Sequence, residues 1–136
     1  MARISIEVVV FDNARNKFAA WALVDSSSTA SWICQDLRYY IQVEHSLVEQ
    51  PASYIIDDVE LQSKGVLEVT WHKKADVPAL HKNQFNITES IPRSHHLIIG
   101  RDILSNDASV LEDSDPICVY TADNQSEGKS ISRRPH

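Results

Sequence analysis

Apolar side chains alternate along residues 4–10, and this pattern restricts the secondary structure of the opening segment more than any other feature does. A period of two residues is typical of a half-buried β-strand. Asp and Asn residues within 12–16 then favour a turn, and a second apolar run follows at residues 18–24. The chain is therefore expected to open with a β-hairpin.

Further strands are predicted at residues 52–61, 66–72, 83–88, 97–99 and 117–120. Gly65 stands where a turn or bulge is needed. Ile33, Leu37 and Ile41 recur at helical spacing after a Ser/Thr-rich stretch that could cap a helix, and a brief helix is expected from Asp102. The fold class is thus all-β, or mostly β, with one or two short helices.

Composition narrows the function classes. A chain of 136 residues with 43% hydrophobic residues fits one soluble domain. The net charge of −6 disfavours nucleic acid as a partner. The N-terminus resembles no signal peptide and no apolar run could span a membrane, so we expect no membrane partner and an intracellular, cytoplasmic location.

Cysteine and histidine give no sign of a metal site. Cys34 and Cys118 lack metal-ligand spacing and are expected to be partly buried, reduced thiols. His95 and His96 are adjacent, so on a strand they would point to opposite faces, and we expect two surface histidines. No metal and no cofactor are predicted. The three tryptophans are expected to be core anchors.

Asp25 lies between an apolar strand and four consecutive hydroxyl residues, 26–29. By itself such an acid is most often a turn or cap residue at a strand end. The hydroxyl cluster could also suggest a serine nucleophile, but the sequence has no Gly-x-Ser-x-Gly elbow. The interpretation of Asp25 therefore depends on what accompanies it.

Four segments together resemble the retropepsin-like aspartic protease family, in particular its retrotransposon-type and fungal members. They are ALVDSSSTASWI around Asp25, SKGVLEVTWH, KNQFNI and, about 75 residues after Asp25, HHLIIGRDIL. The resemblance covers residues 4–105 and implies an acid-protease closed barrel with one lobe per chain. We expect a retropepsin-like domain at residues 1–120 and a polar, flexible tail at 121–136.

The resemblance implies that Asp25 is half of a catalytic dyad. Two carboxylates about 3 Å apart share one proton, so that one acts as base and the other as acid. One chain offers a single such Asp, and a homodimer would supply the second. In the active-site loop, Ser26 would tie the two subunits together. Ser27 replaces the family's glycine, and its side chain would disfavour any positive φ angle.

The resemblance also assigns a flap, the hairpin that closes over a bound peptide, to residues 52–62. Its substrate-binding residues would be Ile55, Ile56, Asp57 and Asp58. This segment contains no glycine, whereas flap tips in the family usually carry one. An acidic tip would also place Asp57 and Asp58 near the catalytic carboxylates.

Gly100, Arg101 and Asp102 match the family's second motif. The resemblance implies that they brace the active-site loop, with Arg101 as a structural residue. Strands from the two chain ends would seal a dimer.

Two functions fit these observations. The first is an aspartic endopeptidase that hydrolyses extended polypeptides as a homodimer. The second is a catalytically inactive retropepsin-fold module for dimerisation or peptide binding, which the Ser27 replacement and the glycine-free flap favour.

Overall fold

The computed structural model describes residues 2–48, 51–74, 80–106, 110 and 118–121. Within these residues the strands are β1 (Ala2–Phe11), β2 (Lys17–Val24), β3 (Trp32–Cys34), β4 (Ser53–Ile56), β5 (Val59–Gln62), β6 (Val66–Lys73), β7 (His81–Thr88), β8 (Leu97–Ile99) and β9 (Cys118–Thr121). The helices are α1 (Gln35–Ile41) and α2 (Arg101–Leu104).

Six of these strands close into a barrel. The order is β2, β8, β3, β7, β6 and β1, and β1 also pairs with β2 to complete the ring. The first hairpin joins β1 to β2 in antiparallel register from Ile4↔Val24 to Phe11↔Lys17. β9 pairs with the start of β1, and β4 and β5 form a separate two-stranded sheet. The predicted fold class, a mostly β closed barrel, is confirmed.

The alternation in β1 produces the barrel core. Ile6, Val8 and Val10 are all buried inside the ring, as the period of two predicts. Trp32 and Trp71 are fully buried, which agrees with their expected role as core anchors, whereas Trp21 is only half-buried.

The predicted helix begins later than its apolar spacing suggests. Ile33 lies in β3, where it pairs with both β7 and β8, and α1 begins at Gln35. The preceding hydroxyl residues do not cap it, because the N-cap is Cys34 and no side-chain cap hydrogen bond is present. Burial of Ile33 between two strands outweighed its helical spacing to Leu37.

The prediction of two surface histidines was wrong. His95 is 5% exposed and His96 is half-buried. Each ring has a polar partner: His95 Nε2 lies 2.5 Å from Ser5 Oγ, and His96 Nδ1 accepts a hydrogen bond from the Trp21 N–H at 3.0 Å. These hydrogen bonds allow one imidazole to be buried and the other to be half-buried.

The predictions for the cysteines and the tail can be compared with the structure only where the residues are described. Cys34 is a buried free thiol, while the side chain of Cys118 lies outside the described residues. Of the tail predicted at 121–136, Thr121 ends β9 and residues 122–136 lie outside the described part of the chain. In the part of the chain that the structure describes, neither helix has the length and apolarity of a membrane span.

Candidate functional site

Asp25 follows the last residue of β2, at the point where β2 runs parallel to β8. Its backbone N–H donates to the Ile99 carbonyl at 3.0 Å, so the strand pairing extends to the first residue of the loop. The residue is 1% exposed. The apolar run that precedes Asp25 in the sequence therefore places a carboxylate inside the protein.

The residues after β8 hold the Asp25 loop in place. Gly100 donates its N–H to Ser31 Oγ at 2.8 Å, and Ser31 Oγ donates to Asp102 Oδ1 at 2.6 Å. Arg101 donates its backbone N–H to the Ser28 carbonyl at 2.7 Å, while its side chain is exposed. Arg101 thus contributes to the predicted brace through its backbone, and the side-chain contact comes from Asp102.

Gly100 is where the two segments approach most closely. A Cβ atom there would lie 2.1 Å from the Ala30 carbonyl oxygen and 2.7 Å from that of Ser28. Both obstacles are backbone atoms, so neither can rotate away. Only glycine allows the loop and the start of α2 to pack in this way.

Ser26 and Ser27 are exposed in the loop. The backbone φ of Ser27 is not positive, so the penalty expected for a side chain at this position does not arise. The Ser27 N–H donates to Asp25 Oδ1 at 3.0 Å and the Ser28 N–H donates to the Asp25 carbonyl at 3.1 Å. Asp25 therefore also acts as the turn-forming acid that the loop sequence suggests on its own.

The other carboxylate oxygen of Asp25 faces two side chains of its own chain. Tyr54, in β4, donates its hydroxyl to Oδ2 at 2.7 Å. Arg3, in β1, places Nε 3.3 Å from the same oxygen. Both oxygens of this buried carboxylate thus have polar partners within one subunit.

The hairpin of β4 and β5 covers Asp25, and it contains the predicted flap residues. Ile56 is buried beneath it, whereas Ile55 is 67% exposed. Asp57 and Asp58 form its tip with φ angles of 50° and 63°, so two aspartates adopt the left-handed conformation that glycine usually supplies. The structure brings Ile56 and Asp57 to the site and leaves Ile55 and Asp58 on its outer side.

Asp57 binds two arginines. Arg3 Nη1 donates to its Oδ1 at 3.2 Å, and Arg93 Nε donates to its Oδ2 at 2.8 Å. Arg3 thus bridges Asp25 and Asp57. The prediction that the acidic tip lies near the catalytic position agrees with this arrangement, and a cation stands between the two carboxylates.

The ionisation of these groups follows from their contacts. Burial and the hydrogen bond to Asp25 raise the pKa of Tyr54 to about 12. Burial would raise the pKa of Asp57, but hydrogen bonds from Arg93 and Arg3 outweigh it and the pKa is lowered. Burial opposes the charge of Arg3, yet its pKa is raised because Asp25 and Asp57 lie beside it.

Sequence reasoning missed Arg3, Tyr54 and Arg93. Arg3 carried a weak signal, because it shares with Ser5 and Glu7 the face of β1 opposite to the apolar one. Tyr54 lies within the predicted flap, but nothing in its sequence context connects it to Asp25. Arg93 lies 36 residues after Asp57, its partner, and only the fold brings them together.

The described residues were also compared with the requirements of a metal site and of a second pocket. Among the described residues no group of three or more His, Cys, Asp or Glu side chains could hold a metal ion. A cavity of about 490 Å³ lies between α1 and residues 89–96, with Phe18 and Ala19 in its wall. These two residues are at the start of β2, whereas Asp25 follows its end, so this cavity is separate from the Asp25 site.

The comparisons with known proteins support the fold. The chain is similar to the retroviral protease-like domain of Ddi1 from Leishmania major, with 18% sequence identity and a TM-score of 0.54 over 88% of each chain. No family model matches the sequence. No curated protein matches it either.

The barrel and this similarity define the protein as one with a retropepsin-like fold. At 18% identity the similarity concerns the fold alone.

Proposed function

We propose that this chain is a non-catalytic retropepsin-fold module that dimerises and binds an extended polypeptide. The observation that carries the proposal is the state of Asp25. Its carboxylate is buried, and both oxygens have partners from the same subunit: Ser27 on one side, and Tyr54 and Arg3 on the other.

An Asp dyad needs a different environment. The two carboxylates must approach to about 3 Å, share a proton and hold a water molecule between them. Here one oxygen of the Asp25 carboxylate contacts a guanidinium and a phenol. Catalysis would require both Arg3 and Tyr54 to withdraw.

Withdrawal of the hairpin would expose apolar side chains. Ile56 and Leu61 are each 1% exposed beneath it. Full exposure of one such side chain costs about 1.5 to 3 kcal/mol, so opening that released both would cost several kcal/mol. The covered form is therefore the favoured state of a single subunit.

Two features support a role in binding. Ile55 and Val59, on the outer side of the hairpin, are 67% and 42% exposed and offer apolar contact area. β9 is the last strand of the sheet, beside β1. No other described strand pairs with its outer edge. Extended polypeptides add to such edges through backbone hydrogen bonds, and a second subunit can do the same.

The aspartic endopeptidase is the second candidate, and two observations favour it. Ser27 fits the active-site loop without a positive φ angle, which removes one objection to catalysis. The hairpin forms its own sheet, so no strand pairing with the barrel must break when it lifts. In this alternative, Asp25 of each subunit would form the dyad after the hairpin opens.

Cleavage of an unstructured protein between about pH 3.5 and 6.5 tests the choice, because a carboxylate dyad works in mildly acidic solution. The wild-type chain and Asp25→Asn are compared, with sedimentation to count subunits. We expect a dimer and no cleavage that depends on Asp25. Cleavage that disappears in Asp25→Asn would overturn the non-catalytic proposal, and a strictly monomeric protein would overturn dimerisation.

A further inference from the structure

Two arginines from distant parts of the chain converge on one carboxylate at the edge of the site. Arg3 comes from β1 and Arg93 from the segment before β8, and each contacts a different oxygen of Asp57. Arg3 also contacts Asp25 through Nε, so the two arginines and the two carboxylates balance in charge. Arginine pairs of this kind suit planar carboxylates.

The backbone on both sides of this contact is in an uncommon conformation. Arg93 and Ser94 have φ angles of 64° and 61°, and Asp57 and Asp58 also have positive φ. Asp57 and Asp58 form the two-residue loop between β4 and β5, and a tight hairpin turn of this length requires positive φ at both positions. Arg93 and Asp57 thus each lie in a tight turn, which limits how far either side chain can move.

We propose that Arg3 and Arg93 form a carboxylate clamp for an aspartate or glutamate of an extended polypeptide, and that Asp57 occupies it as an internal ligand. This rests on the proposed polypeptide-binding function and names its ligand class. The internal ligand itself ends an extended strand, since Asp57 directly follows β4. A bound segment that ends in the same way would present its acid to the same two guanidinium groups.

Competition follows from this arrangement. Asp57 is tethered beside the clamp, so its effective concentration exceeds that of any free peptide. The wild-type chain should therefore bind acidic peptides weakly. Removing the Asp57 charge should leave Arg3 Nη1 and Arg93 Nε available to another carboxylate, while Arg3 Nε stays beside Asp25. Asn is a suitable replacement because it tolerates the left-handed backbone that this position requires.

The test uses a fluorescent extended peptide with one central Asp and a matched peptide with Asn. Binding is measured by polarisation to wild type, Asp57→Asn and Asp57→Asn with Arg93→Gln. Glu60→Gln removes the same charge from the exposed side of the hairpin and is the control. Circular dichroism checks folding, and Asp57→Gly is the second variant if Asp57→Asn does not fold.

We expect Asp57→Asn to bind the Asp peptide at least about tenfold more tightly than wild type, and the added Arg93→Gln change to abolish the gain. Glu60→Gln should behave as wild type, and added salt should reduce the gain. Equal binding of the Asp and Asn peptides to Asp57→Asn would overturn the clamp while leaving polypeptide binding intact.

A blocked single aspartate separates the two proposals further. If it raises the melting temperature of Asp57→Asn more than blocked asparagine does, while neither peptide binds, the clamp is present and polypeptide binding fails. If the two blocked residues act alike and neither peptide binds, both proposals are wrong.

Discussion

Replacing Gly100 with alanine should strongly destabilise the protein, although it adds only one methyl group. The added Cβ would lie 2.1 Å from the Ala30 carbonyl oxygen and 2.7 Å from that of Ser28. The φ of Gly100 is −99°, which alanine adopts freely, so the whole effect is a steric collision.

The size of the effect can be worked out from the contacts that must move. Overpacking of a rigid site costs about 1 to 3 kcal/mol. Separating the two segments also strains the hydrogen bonds from Gly100 N–H to Ser31 Oγ and from Arg101 N–H to the Ser28 carbonyl. At about 1 kcal/mol each, these bring the expected loss in the free energy of unfolding to about 3 to 5 kcal/mol.

Urea denaturation followed by tryptophan fluorescence measures this loss. Arg101→Ala is the matched control, because it changes the neighbouring residue, whose side chain is exposed, and should cost no more than about 0.5 kcal/mol. A Gly100→Ala protein within about 1 kcal/mol of wild type would show that the Asp25 loop does not pack against α2 as described.

Two further predictions concern buried polar groups. Ser31→Ala should cost about 1 to 3 kcal/mol in urea denaturation, because it removes the acceptor of the Gly100 N–H and the donor to Asp102, and a smaller loss than about 0.5 kcal/mol would refute the brace. Burial lowers the pKa of His95 below its ordinary value of 6.5, so the folded protein favours the neutral ring. The stability that the neutral ring contributes is present above pH 6.5 and is lost as the pH falls below it, because the unfolded chain then binds a proton more readily. The melting temperature should therefore drop between about pH 7 and 5, and His95→Asn should flatten this dependence, whereas an unchanged slope in the variant would contradict it.

Local patterns predicted most of the strands, and the resemblance to a known family predicted that they close into a barrel. The alternation in residues 4–10 specifies β1, because a strand with one buried face requires that period. The run into Asp25 and the motif at Gly100 are each local, and their resemblance to a known family linked them before the structure placed them side by side. The acid and the hydroxyl-rich residues after it predicted the turn at Asp25 for the same local reason.

Contacts between distant segments could not be predicted in this way. Arg3 lies 54 residues from Asp57, and no local preference links them. Tyr54 reaches Asp25 only because the hairpin folds back over the barrel end, and tertiary packing decides that direction. The helix predicted from the spacing of Ile33 does not include that residue for a related reason, because Ile33 pairs with two neighbouring strands, β7 and β8.

The contact between Tyr54 and Asp25 tests the central claim most directly, because it exists only if the hairpin covers the carboxylate. Ring-labelled tyrosine can be followed by NMR up to about pH 10.5, with Tyr54→Phe to assign the signal. A pKa of about 12 leaves Tyr54 almost wholly protonated there, roughly 3% ionised. If Tyr54 is instead roughly three-quarters ionised, as an ordinary tyrosine with a pKa near 10 would be, the hairpin does not hold its hydroxyl on Asp25 and the covered site is wrong.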